Sequence, residues 1–481
     1  MTSYWCETAL LPTGLASRVL VTVADGRFTA VQPDADPGDA TVLHGLVVPG
    51  LANCHSHAFH RALRGRTQTE RGTFWTWREQ MYAVAAALTP DTYYDLARAV
   101  YGEMLLAGIT AVGEFHYLHH APGGHRYNDP NAMGTALIAA ARDAGIRIAL
   151  LDTCYVAGGI DQPLNEVQQR FSDGDATSWA SRVAQLAGAD DVVIGAAAHS
   201  VRGVPPEQLG AVAAAFPDVP LHIHLSEQVA ENEACLAAYG RTPTQILDEA
   251  GFLSGRTSAV HATHLTSVDV ELLGSSATYS CFCPTTERDL ADGIGPSVQL
   301  RDAGSPLTLG SDSHAVIDLF EEMRAVELNE RLATQERGHW SAPELLKAAT
   351  TDGHQSIGFP DAGAITIGAR ADLVAVRLNT VRTAGTIPTA GIALADGAVS
   401  GGSTPGPTSG SALPPRAAGT TSGSMLPPRT TSGRAEAVVF AASAADVSDV
   451  VVSGNHLVAD GKHVKLDVAA ELAASIRAVT R

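Results

Sequence analysis

From about residue 47 to about residue 360 the chain repeats one texture: a short apolar run, a turn, then an alanine-rich stretch with helical spacing. Apolar runs bounded by turn residues read as buried strands, and strands alternating with helices read as βα units around a parallel sheet. Eight candidate strands fall at 46–48, 109–112, 146–151, 192–198, 221–225, 258–260, 277–280 and 306–309. Helix ends are legible between them. Thr89-Pro90-Asp91 opens a helix that Gly108 closes, and Gly145 stops another that begins near Pro130. Eight such units predict an α/β fold, a closed (β/α)8 TIM-like barrel whose active site lies where the strands end, at the C-terminal face.

The two ends of the chain read differently. Residues 1–46 look like short strands and turns, as in Arg18-Val19-Leu20-Val21-Thr22-Val23 before Asp25-Gly26. Strand-like sequence returns after 360, in Ala364-Ile365-Thr366-Ile367-Gly368, in Ala371-Asp372-Leu373-Val374-Ala375-Val376 and in Val450-Val451-Val452, and these pieces are expected to pair with the N-terminal strands. The expected organisation is therefore 1–46, a barrel over 47–360, and a return over 361–481. Within the return, residues 398–433 are dominated by Gly, Ser, Thr and Pro, and Leu413-Pro414-Pro415-Arg416 recurs as Leu426-Pro427-Pro428-Arg429. Such a composition cannot bury a core and reads as a flexible insertion.

Charge narrows the partners. Against 51 Asp and Glu stand 32 Lys and Arg, a formal net charge of -19, which repels nucleic-acid backbones and anionic membranes and favours a small-molecule substrate. The start lacks a basic segment followed by an apolar one, and no apolar run approaches the roughly 18 residues of a membrane span, so a cytoplasmic protein is expected. The six cysteines show no CxxC pair, which points to reduced thiols. Lys347, Lys462 and Lys465 are the only lysines. No lysine is therefore available in the first seven βα units as a phosphate ligand, a Schiff base or a carbamylated metal bridge.

Polar, metal-capable residues gather where the candidate strands end: His55 and His57, Glu114 and His116, Asp152, His199, His224 and Glu227, His261, Cys281 and Cys283, and Asp312. In His55-Ser56-His57 alternate residues of an extended segment project the same way, so both imidazoles can reach one ion. His224 supplies a third ligand and Asp312 a fourth. Three histidines and one aspartate that leave room for water make a catalytic zinc site, although the same donors accept iron or manganese. Glu227, three residues beyond His224, is placed to carry a proton beside the metal, and His261 completes the set. His222, on the other face of its strand, is expected to be packed.

Taken together, these residues resemble the amidohydrolase superfamily in its mononuclear deaminase branch. HxH after the first strand, His after the fifth and sixth and Asp after the eighth are that superfamily's pattern, and Ala371-Asp372-Leu373 resembles its closing motif. The resemblance implies that both chain ends form a small β-sandwich, that one divalent metal, zinc foremost, is bound, and that the protein is a homodimer. Longer signatures resemble the formimidoylglutamate deiminases: His55-Ser56-His57-Ala58-Phe59-His60-Arg61-Ala62, Phe74-Trp75-Thr76-Trp77-Arg78-Glu79, Gly113-Glu114-Phe115-His116-Tyr117 and His199-Ser200-Val201-Arg202. That branch implies hydrolysis of N-formimino-L-glutamate to N-formyl-L-glutamate and ammonia in histidine degradation. His60 stands where the family more often has glutamine.

A dicarboxylate substrate needs fixed positive charge inside an acidic protein, which Arg78 and Arg202 supply as bidentate forks. His60, Tyr117 and His199 are the further substrate contacts the resemblance implies, with Glu227, His261 and Asp312 as catalytic residues and His55, His57, His224 and Asp312 as metal ligands. Two alternatives stand beside this reading. One is a sibling deaminase acting on a heterocyclic amine such as guanine or a cytosine analogue, with the same metal set. The other is a barrel that binds metal without catalysis, against which the presence of Glu227 and His261 speaks.

Overall fold

The computed structural model describes residues 1–68, 71–386 and 434–480. The chain opens with β1 (Thr2–Leu11), β2 (Gly14–Ala24), β3 (Arg27–Gln32) and β4 (Thr41–Pro49). Eight barrel strands follow: β5 (Leu51–Ser56), β6 (Ile109–His116), β7 (Arg147–Cys154), β8 (Val192–Ala198), β9 (Leu221–Leu225), β10 (Thr257–His261), β11 (Tyr279–Phe282) and β12 (Leu307–Leu309). Each neighbouring pair from β5 to β12 is parallel, with helices in the connections. The predicted helix ends recur: Thr89 caps the helix Pro90–Leu106, and Gly145, at φ +95°, ends the helix Ala132–Ala144.

The barrel closes between β5 and the segment beyond β12. Asp312 donates its backbone N–H to the His55 carbonyl at 3.0 Å, and His57 donates to the Asp312 carbonyl at 3.3 Å. The seam thus joins the two residues of the HxH pair to the aspartate, far apart in sequence, through the backbone itself. Glu114, at the end of β6, secures the same loop by accepting the Ser56 hydroxyl at 2.6 Å and the Ala58 backbone N–H at 2.7 Å.

One expected strand sits elsewhere. Residues 46–48 belong to β4, which pairs with β1 rather than with β6, and the barrel's first strand is β5. Every residue of β5 is buried, but Asn53, His55 and Ser56 break its apolar run, so the strand that carries the site is the one that apolar patterning passes over. Gly50 makes the crossing between the sheets; a Cβ there would lie 2.2 Å from Thr110 Oγ1 and 2.8 Å from Asp372 Cβ.

The second sheet takes strands from both ends of the chain. With β13 (Leu373–Val376), β14 (Val447–Val452), β15 (Asn455–Ala459) and β16 (Lys462–His463), its order is β16-β15-β14-β13-β4-β1-β2-β3. Its own core includes Tyr4, Val21, Phe28, Leu43, Leu373 and Val451. Asp372 ties it to the barrel, since its buried carboxylate pairs with Arg147 on β7 and accepts the Thr110 hydroxyl. Residues 364–368, expected as a strand, form turns instead. Only Ile365 plugs into the core, while Ile367 is exposed and Gly363 and Gly368 take positive φ. The 398–433 insertion lies outside the described residues. Among the described residues no helix is long and apolar enough to cross a membrane.

Candidate active site and metal centre

The strand ends converge on one cluster. His55 and His57 Nε2 each lie 3.4 Å from Asp312 Oδ1, and His224 Nε2 lies 3.1 Å from His55 Nε2. All four residues are buried. His57 donates from Nδ1 to the Phe115 carbonyl at 2.9 Å, and His224 donates from Nδ1 to the His199 carbonyl at 2.9 Å. With the proton so placed, Nε2 of each ring is an open lone pair aimed at the cluster.

The charge states agree with that placement. Burial and the neighbouring His55 pull His57 down to about 3, and burial lowers His55 and His224 as well, so the rings are neutral. Burial opposes ionisation of Asp312, but the hydrogen bond of His55 and the charge of His261 outweigh it and hold the carboxylate well below the usual range. Neutral imidazole lone pairs and a carboxylate brought together in a dry site repel one another unless a cation lies among them. The donor set fits a divalent ion, nitrogen-rich with one carboxylate.

Against this cluster stand His261 and Glu227. His261 Nε2 lies 3.7 Å from Asp312 Oδ2 and 3.8 Å from Glu227 Oε1. Burial disfavours charge on His261, yet Glu227, Glu287 and Asp312 outweigh it and push the ring up to about 10. Burial raises the Glu227 carboxyl against the lowering pull of His261 and Arg202. His261 (φ +71°) and Asp312 (φ +39°) both sit in the left-handed region that side chains with a Cβ avoid. Such conformations cost on the order of 1–3 kcal/mol each and persist where surrounding structure holds them, commonly at functional sites.

These residues open onto a cavity of about 390 Å³ that also takes in Arg78, Arg202, Tyr117 and His199, within the usual range for small-molecule sites. Arg78 stacks on Trp75 at 4.5 Å and on Tyr82 at 5.5 Å, and has no carboxylate partner among the described residues. Arg202 is different. It lies 3.3 Å from Glu231 and 3.7 Å from Glu227. His60 Nε2 bonds the Tyr117 hydroxyl at 3.0 Å, and the His60 ring lies 4.5 Å from that of His57.

Comparison with known proteins places this geometry. Residues 46–457 match the amidohydrolase family. The chain belongs to that family. It is 38% identical to formimidoylglutamate deiminase of Pseudomonas aeruginosa over 394 residues, 79% of this chain and 87% of that one. It is 31% identical to 8-oxoguanine deaminase of the same organism over 391 residues, 77% of this chain and 84% of that one. An amidohydrolase from Brucella melitensis has the same fold, with a TM-score of 0.84, 29% identity and full coverage of both chains. The protein is thus an amidohydrolase, a hydrolase acting on C–N bonds, with a divalent-metal site built from His and Asp.

Within this amidohydrolase, each residue expected for metal binding or catalysis, and each expected substrate contact, lies at or beside the cavity. Other strand-end residues do not. Asp152 accepts Arg182 at 2.8 Å on both oxygens and the Trp179 indole N–H at 3.0 Å, forming with His119 a separate buried network whose cation is already the guanidinium. Glu114 holds a loop, and His222 packs against the Ser356 carbonyl, as expected of the far face of its strand. Sequence reasoning passed over Glu231 and Glu287. Glu287 follows β11 as Glu227 follows β9, a position rule that finds it, whereas Glu231, one helical turn beyond Glu227, carries no signal of its own.

Gly310 shows how tightly the cluster is built. A Cβ there would lie 2.7 Å from His55 Cβ and 2.9 Å from Cys283 Sγ. Gly310→Ala is expected to push His55 out of line, lowering bound metal and reducing kcat about 100-fold, the scale of a misplacement near 1 Å. Metal analysis of the purified variant beside its steady-state kinetics checks this, and full metal content with wild-type kcat refutes it.

Proposed function

We propose that the protein is a zinc-dependent deiminase that converts N-formimino-L-glutamate and water to N-formyl-L-glutamate and ammonia. The observation that carries this reading is the pair of arginines, Arg78 and Arg202, in the same cavity as the His55, His57, His224 and Asp312 cluster. A substrate with two carboxylates and one formimino group needs cations on the wall and hydrolytic chemistry at the floor. The 38% identity to a formimidoylglutamate deiminase supports the same assignment.

A divalent ion in the cluster supplies Lewis acidity and activates water. The chain's own groups do the rest. Asp312 accepts a proton from the attacking water. His261, charged between Glu227 and Asp312, orients that water and donates from Nε2 to the oxygen on which negative charge develops. Glu227, raised by burial, takes up a proton released by the water and passes it to the departing nitrogen. A C–O bond forms at the formimino carbon, the C–N bond to the terminal nitrogen breaks, and both water protons leave with that nitrogen as ammonia. Arg78 and Arg202 bind the carboxylates, with Tyr117, His60 and His199 completing the wall.

A second reading, deamination of a heterocyclic amine, draws on the aromatic walls of the cavity and on the 31% identity to 8-oxoguanine deaminase. Ammonia release by the zinc-loaded protein from N-formimino-L-glutamate, assayed beside guanine, 8-oxoguanine and cytosine, separates the two. Turnover of formiminoglutamate alone is expected. Turnover of a heterocycle without it moves the assignment to the sibling deaminases.

A further inference from the structure

Accepting the role of His261 given above, we infer that Glu287 is the positioning residue for that histidine. Nε2 of His261 faces the reacting side, toward Glu227 and Asp312, while Nδ1 faces Glu287 Oε1 at 3.5 Å. Nδ1 is buried and has no hydrogen-bond partner, so the ion-pair contact with Glu287 is the one aimed at it. Glu287 is itself held, since it is 2% exposed and its Oε1 accepts the Cys283 backbone N–H at 2.8 Å, at the exit of β11.

His261 is the last residue of β10 and leaves the strand in a left-handed backbone conformation. The ring stacks on that of His224 at 5.7 Å, and the contact at Nδ1 acts on the edge turned away from the reacting side. A carboxylate at Nδ1 holds the ring by that edge, leaving the Nε2–H to the water and the substrate. The pairing links consecutive strands: the histidine ends β10, and its orienting carboxylate lies in the helix Pro284–Asp289 just after β11. Glu287 neither lines the cavity nor touches the four-residue metal cluster, so its action passes through His261.

The experiment is a double-mutant cycle on the zinc-loaded, full-length protein, read as ammonia release from N-formimino-L-glutamate. Glu287→Gln keeps an oxygen for the Cys283 N–H but removes the charge at His261. It is expected to lower kcat about 10- to 100-fold, with KM, metal content and melting temperature unchanged. In a His261→Ala background the same substitution is expected to change kcat no further, because the ring it orients is gone. A structural role would reduce activity equally in both backgrounds. That result, or wild-type kcat for Glu287→Gln, overturns the proposal. If His261→Ala by itself turns over at the wild-type rate, the role of His261 falls, and that of Glu287 with it. Should Glu287→Gln not fold, Glu287→Asp, which keeps the charge but withdraws it by one methylene, is read in the same cycle with the same expected signs.

Discussion

Glu227→Gln is expected to leave the fold and the metal in place and to reduce turnover by roughly 10²–10⁴-fold, the contribution of a positioned proton-transfer group. The carboxyl is 5% exposed and stands between His261 Nε2 and Arg202, beside the His/Asp cluster. Glutamine fills the same volume and keeps an acceptor oxygen, but it cannot take up and release a proton. The loss should fall on kcat, with KM nearly constant, because Glu227 is assigned to the departing nitrogen and not to the carboxylates. Metal analysis with steady-state ammonia release tests this. Retained turnover with full metal would remove Glu227 from proton transfer, and loss of metal would instead make it part of the ion's surroundings.

Arg78→Met and Arg202→Met form the second large prediction, and the structure separates them. Truncating one partner of a buried charge pair costs about 2–5 kcal/mol, which corresponds to a fall in kcat/KM of about 30- to 5,000-fold. Arg78 stacks on aromatic rings without a carboxylate partner among the described residues, so its loss should appear almost wholly as raised KM for formiminoglutamate. Arg202 also lies between Glu227 and Glu231, and removing it leaves two buried carboxylates facing each other. Its variant should therefore show a lower kcat as well as a raised KM. A small amidine without carboxylates serves as the control substrate, and its KM should not respond to Arg78→Met. Unchanged KM for formiminoglutamate in both variants would remove the dicarboxylate reading and favour a heterocyclic substrate.

Much of the molecule is legible along the chain because its signals are local. Apolar runs with helical stretches between them mark the barrel, and seven of the eight candidate strands lie on barrel strands of the structure. Thr89 and Gly145 mark helix ends because capping depends on a few adjacent residues. His55, His57, His224, His261 and Asp312 could be singled out because a βα barrel places the residues after its strands on one face. The strand at 46–48 was misplaced because a short apolar run shows that it will be buried but not which sheet buries it, whereas the alternating apolar residues of 364–368 are overridden by the turns that Gly363 and Gly368 make at its ends.

The barrel, the direction its site faces and the identity of the metal-capable residues are properties of periodicity and spacing, and the chain carries them openly. Three-dimensional folding alone settles the rest. Barrel closure joins His55 and His57 to Asp312 by one backbone hydrogen bond each. Packing brings Glu287 behind His261 and Glu231 against Arg202, so that one arginine meets carboxylates and the other, among the described residues, aromatic rings. These are contacts between residues distant in sequence, and their electrostatics depend on distances and burial that no local pattern encodes.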